Sequence, residues 1–327
     1  MVIIDVHTHM LSQDWLDLLV ERSGTYTLRD APGGARAVYR GGTAFMTLTP
    51  GMFDYDLRIA EMDKAGVDLA IVSLTCPSVY WGGEEVSVRG ARMINDHMAA
   101  ERRRRPDRIG FLATLPWQYP AAAVAELERA CELGAAGVMV LANIDGRSLT
   151  DPAFADVWRA IDERALPVLV HPTTPPGVED MDIERYHLVW SVGFTFDTTL
   201  ALARMVLDGF LERYPNLKII GSHAAGTLPF LMGRLDTGHR SFAAAREAIA
   251  EIPSTYAGRV YADSIAYSPA SLALTVEVLG ERNVLFGSDY PHKCGRMDEC
   301  VDLVDTLPAA QADLVRSGNA ARIFDLA

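Results

Sequence analysis

The sequence predicts a single-domain α/β protein, residues 1–327, of the (β/α)8 (TIM) barrel class with insertions after strands 1 and 5. Two observations predict it. Eight short apolar runs recur along the chain, each followed by a polar turn and a stretch of helical period, and the longest intervals between runs fall after the first and the fifth. The runs begin near Val2, Leu69, Ile109, Ala136, Pro167, Leu217, Val260 and Val284. Eight alternating units favour a closed barrel over an open sheet, and 327 residues, 49% of them hydrophobic, suffice for its core.

The elements between the runs carry ordinary punctuation. Asp151 reads as an N-cap with Pro152 in the first turn, and Gly134 and Gly280 sit just past helix ends. In a barrel of this class, the segments after strands 1 and 5 leave from the C-terminal face, where such folds place their chemistry, so both are expected to roof a pocket. The first, around residues 10–54, includes the Pro32-Gly33-Gly34 and Gly41-Gly42 turns and holds too few apolar residues for a core of its own. No Gly-rich G-x-G-x-x-G or G-x-x-x-x-G-K turn follows any run, which removes the usual nucleotide-binding reading.

Charge narrows the partners. With 30 Lys and Arg against 43 Asp and Glu, the formal charge of -13 opposes nucleic acid and anionic membranes, and favours a small-molecule partner. The dense basic cluster, Arg102 to Arg105, ends a predicted helix before Pro106, where cations suit the helix dipole. Cys76, Cys131, Cys294 and Cys300 form no C-x-x-C pair, which argues against a disulfide framework or a cysteine-built zinc site. No apolar run is long enough for a signal peptide or a membrane helix, so a cytoplasmic protein is expected.

The opening strand reads Ile3-Ile4-Asp5-Val6-His7-Thr8-His9, and strand alternation puts Asp5, His7 and His9 on one side. Two imidazoles at i and i+2 at the mouth of a barrel strand form a natural chelate. The motif alone is weak, but the other strands reinforce it. Strand 5 ends in Val168-Leu169-Val170-His171-Pro172, strand 6 in Gly221-Ser222-His223 and strand 8 in Gly287-Ser288-Asp289, each group at or near the last strand position. Half of the strands thus send an imidazole or carboxylate to one face, and together these are ligand types for zinc, manganese or iron. Asp5 lies deeper and suits a supporting role, while Asp263 on strand 7 either hydrogen-bonds a ligand histidine or simply ends its strand.

D-x-H-x-H on strand 1, H-P on strand 5, G-x-H on strand 6 and G-S-D-Y-P on strand 8 resemble the amidohydrolase superfamily over nearly the whole chain. Leu57 to Asp63 with Gly66-Val67-Asp68, Leu211 to Pro215 and Leu228 to Asp236 are most similar to the branch of 2-amino-3-carboxymuconate 6-semialdehyde decarboxylase, which also holds resorcylate and carboxyvanillate decarboxylases. The resemblance implies that His7, His9, His171 and Asp289 are metal ligands, with His223 and Asp289 catalytic. It further implies that Arg234 binds a substrate carboxylate, in some relatives across a dimer interface, so a homodimer is expected. The semialdehyde decarboxylase's other acid-binding arginines fall near Ala44, with Arg40 closest, and near Phe242, with Arg240 close. Resorcylate-type relatives often have Glu where His7 stands.

One divalent ion is expected, zinc first with manganese or iron as alternatives. Binuclear relatives bridge two ions with a lysine or carboxylate near strand 4, and Val138-Met139-Val140-Leu141-Ala142-Asn143 offers neither. The reaction the resemblance implies is non-oxidative decarboxylation of a small unsaturated or aromatic acid, with Tyr80 and Trp81 offering aromatic surface to a planar substrate. The alternatives are a mononuclear hydrolase of a lactone, ester or amide, and a metal-binding protein without catalysis.

Overall fold

The eight apolar runs become eight parallel strands: β1 (Ile4–His9), β2 (Leu69–Ser73), β3 (Ile109–Thr114), β4 (Gly137–Leu141), β5 (Pro167–His171), β6 (Lys218–Gly221), β7 (Val260–Asp263) and β8 (Val284–Leu285). They are hydrogen-bonded in sequence order. Closure comes from backbone bonds between β1 and the chain just beyond β8. Val6 N–H donates to Phe286 O at 3.0 Å, and Ser288 and Asp289 N–H both donate to His7 O, at 3.1 and 2.8 Å. The molecule is a (β/α)8 barrel in the computed structural model, which describes residues 2–31, 34–40, 43–183 and 185–326. The Pro32-Gly33 and Gly41-Gly42 turns lie outside the described residues.

The strands of a barrel wrapped by helices are buried on both faces, and β4 and β5 are accordingly uninterrupted apolar runs up to His171. The helices behave as their sequences dictate. Asp54 caps the helix Tyr55–Ala65 by accepting from Asp56 and Leu57 N–H, and Gly66, at φ 74°, ends it in a left-handed turn. The basic cluster closes the helix Glu84–Arg104, where Arg104 and Arg105 both pair with Glu101. No helix among the described residues is long and apolar enough to cross a membrane.

The excess length after β1 folds as a three-stranded antiparallel sheet, Tyr26–Asp30, Arg36–Arg40 and Thr43–Thr47. The excess after β5, residues 172–193, contains only short helical turns among its described residues. A small hairpin, Asn143–Ile144 with Arg147–Ser148, follows β4 instead, turning through Asp145 and Gly146, both with positive φ.

Arg58, in the helix after the inserted sheet, is completely buried under the end of β1. Its guanidinium donates to Thr8 Oγ1 at 2.7 Å and to His9 O, and lies 4.8 Å from the centre of the Tyr290 ring. It fixes the strand that carries the H-x-H pair to the segment that carries Asp289. Replacing Arg58 with Met strands these buried acceptors, and the expected loss is about 3 kcal/mol of unfolding free energy, measured by urea denaturation.

Candidate metal centre

Alternation along β1 delivers His7 and His9 to the barrel mouth as expected, with their Nε2 atoms 3.2 Å apart. One ligand atom from each of His7, His9, His171 and Asp289 lies within 4.8 Å of the others, and all four residues are buried. Asp289 Oδ1 is 3.1 Å from His9 Nε2 and 3.4 Å from His7 Nε2. His223 stands beside the group, its Nε2 3.5 Å from the other Asp289 oxygen, Oδ2.

Each of the three ligand histidines has its outer nitrogen committed. His7 Nδ1 meets the Asp263 carboxylate at 2.6 Å, and His171 Nδ1 meets the Pro172 carbonyl at 2.8 Å. His9 Nδ1 meets Ser73 Oγ at 3.1 Å, and that hydroxyl's own hydrogen goes to Thr8 O. Carboxylate and carbonyl can only accept, so the proton sits on Nδ1 and Nε2 is left as a bare lone pair. Three bare nitrogens and a carboxylate converging on a few ångströms repel one another unless a cation lies among them. The donor set therefore fits a divalent ion, with the partners on Nδ1 orienting its ligands.

The electrostatics agree at three of the four ligands, His9, His171 and Asp289. Burial pushes His9 down to about 3 and His171 well below the usual imidazole range, so both stay neutral. Burial also opposes a charge on His7, but Asp263 outweighs it and raises the group. Asp289 would be raised by burial, yet the imidazoles around it, His292 first, hold it well below the carboxylate range. Neutral imidazoles and an ionised carboxylate are the forms that bind metal. Asp5, pushed up to about 6 by burial, accepts from Ser288 Oγ and from His7 N–H below the centre, as its depth implied.

Two of the expected strand ends are corrected. β6 stops at Gly221 and β8 at Leu285, so His223 and Asp289 project from turns beyond the strands. His223, Ala224 and Ala225 take left-handed backbone at φ 54°, 55° and 60°, and Asp289 does so at 56°. Such residues cost roughly 1–3 kcal/mol each and persist only where surrounding contacts hold them. The contacts here are the Asp263 oxygens, which accept from His223 N–H at 2.8 Å and Ala224 N–H at 2.9 Å.

Two cavities share a wall, and the smaller reaches the centre at His223. A cavity of about 490 Å³ is lined by His223, Ile265 and Tyr267, and another of about 820 Å³ by Tyr80, Trp81, Leu141 and Arg40. Trp190 and Phe194 line both. Arg234 is exposed on the helix Leu228–Ser241 and lines neither. Sequence reasoning missed Ser73, although it ends β2 as His9 ends β1, and it missed Trp190 and Phe194, whose segment has no strand periodicity to reveal a face.

The profile of the family described as Amidohydrolase matches residues 4–326. The chain belongs to the amidohydrolase family. Among curated relatives, this amidohydrolase is 29% identical to a 2-amino-3-carboxymuconate-6-semialdehyde decarboxylase of Dictyostelium discoideum, over 99% of this chain and 91% of the relative. It is 32% identical to a 6-methylsalicylic acid decarboxylase of Penicillium expansum, over 75% and 76% of the two chains. Among solved structures, the 5-carboxyvanillate decarboxylase LigW from Sphingomonas paucimobilis superposes with a TM-score of 0.86 at 30% identity, covering 100% of this chain and 99% of the other.

Proposed function

We propose that this amidohydrolase is a metal-dependent carboxy-lyase that removes CO2, without oxidation, from a small unsaturated or aromatic carboxylic acid. The observation that carries the reading is the combination of three Nδ1-committed imidazoles and Asp289 in one buried cluster, in a chain whose relatives named above are all decarboxylases. His7, His9, His171 and Asp289 would hold the ion, and three nitrogens with one oxygen suit zinc ahead of manganese or iron. When bound, the ion supplies a Lewis acid for the substrate's carboxylate or an adjacent oxygen.

The protein's own groups handle the proton. His223 lines the smaller cavity, and its Nδ1 is buried without a hydrogen-bond partner among the described residues. Its Nε2 faces the centre, 3.5 Å from Asp289 Oδ2, and an imidazole so placed can deliver a proton to the carboxyl-bearing carbon. The carbon–carboxylate bond then breaks, its electron pair passes back into the substrate, and CO2 leaves with no net redox change. Tyr80 and Trp81 offer aromatic surface along the larger cavity. Arg234 lies outside both cavities of its own chain, so its carboxylate-binding role is assigned across a homodimer. Phe230 on the same helix, 75% exposed, supplies apolar surface for that contact.

The test is CO2 release from a panel of ortho-hydroxy and ortho-amino aromatic or unsaturated acids by zinc-loaded protein, beside a chelator-treated control. Release from at least one acid, lost on chelation and restored by metal, is expected. Silence across the panel, with metal-dependent turnover of lactones or esters, would make the protein a mononuclear hydrolase.

A further inference from the structure

Asp263 is wholly buried at the end of β7, and its two oxygens receive four hydrogen bonds. Oδ2 accepts from His7 Nδ1 at 2.6 Å and from His223 N–H at 2.8 Å. Oδ1 accepts from Ala224 N–H at 2.9 Å and from Ile265 N–H at 3.0 Å. One oxygen thus grips both a metal-ligand side chain and the backbone of the proposed base. The left-handed run from His223 to Ala225 points successive N–H groups toward this single carboxylate, the arrangement in which backbone amides bind an anion. The packing around it is equally close. A Cβ on Gly287 would lie 3.0 Å from the Cβ atoms of both Asp263 and His7, and a Cβ on Gly226 would lie 2.4 Å from Thr195 O.

We infer that Asp263 is a positioning residue that couples the metal ligand His7 to the base His223, so that ion binding and base orientation set one another. The ligand half rests on the centre's geometry, and only the base half rests on the decarboxylase reading. Holding His7 with its proton on Nδ1 keeps Nε2 free for the ion. Gripping His223 and Ala224 N–H keeps the left-handed turn that aims the His223 ring at Asp289. An asparagine keeps the volume of Asp263 but accepts on one side only. It must therefore present an NH2 group either to His7 and His223 or to Ala224 and Ile265.

The experiment compares wild type, Asp263→Asn, His223→Ala and the double variant. Co2+ affinity of the metal-free protein is measured by competition with a chromophoric chelator, together with the visible absorption of bound Co2+. Asp263→Asn is expected to weaken Co2+ binding roughly 10- to 100-fold and to shift the band, while His223→Ala leaves affinity within about threefold. With metal saturating, Asp263→Asn is expected to lower kcat at least about 10-fold with little change in KM, and to lower it no further in the His223→Ala background. Wild-type protein provides an arm that needs no variant to fold. Amide exchange at His223 and Ala224 is expected to quicken at least about 10-fold when the metal is chelated, because His7 then loosens its hold on Asp263.

Unchanged Co2+ affinity in Asp263→Asn, additive kcat losses, or exchange indifferent to chelation would each overturn the coupling. If no acid in the panel is turned over, the decarboxylase reading fails, and the Co2+ and exchange arms still decide whether the coupling exists.

Discussion

Asp289→Ala is expected to leave the protein folded but without its ion, with turnover down at least about a thousandfold and metal content near zero by elemental analysis. The residue gives the cluster its negative charge. Oδ1 lies within 3.4 Å of both His7 and His9 Nε2, and Oδ2 faces His223. Without it, neutral imidazoles alone would have to hold a dication in a buried site, and breaking such a set by removing its charged member is strongly destabilising to the bound state. Added metal should restore little activity, since the carboxylate also faces His223, the proposed proton donor. Full zinc occupancy in the variant would remove Asp289 from the ligand set.

His223→Ala should separate chemistry from metal binding. Its Nε2 approaches Asp289, but the four clustered ligand atoms do not need it, so metal content should stay near wild type. The rate of CO2 release should fall about 10²- to 10⁴-fold, the range associated with losing a positioned acid or base. Loss of metal in step with activity would make His223 a ligand in its own right. A protein that only binds metal would show no turnover to lose.

Much of the fold was legible because parallel barrel strands are apolar and evenly interrupted. β2, β3, β5, β7 and β8 begin at the expected residues, and the others lie within two positions of them. The H-x-H pair was legible from parity, and the two imidazoles converge even though the pairing of β1 with β2 shifts register between Asp5 and Thr8. What escaped lies where no period operates. His223 and Asp289 were read as strand residues because sequence shows the side chain but not the left-handed backbone that carries it. The inserted sheet after β1 was read only as part of the barrel roofing a pocket, because Tyr26 to Met46 alternates too loosely to show its strands. The hairpin after β4 went unread despite Asp145-Gly146, a turn pair that favours positive φ, because its strands are two residues long. Asp263 was legible as a partner for a ligand histidine, but its grip on the His223 turn depends on β6 and β7 being neighbours, which only three dimensions supply.

The seam between β1 and the chain after β8 also sets when the centre can come into being. His9 and Asp289 are separated by 280 residues, and the same few residues that close the barrel complete the ligand set. During synthesis the H-x-H pair emerges first and waits for nearly the whole polypeptide. Bringing such distant segments together is the slow, entropically costly part of folding. Until then an ion meets only imidazoles, the H-x-H pair joined by His171 once β5 is in place, with no carboxylate beside them. A complete ligand set therefore marks a closed barrel, because Asp289 joins it only where the first and last strands have met.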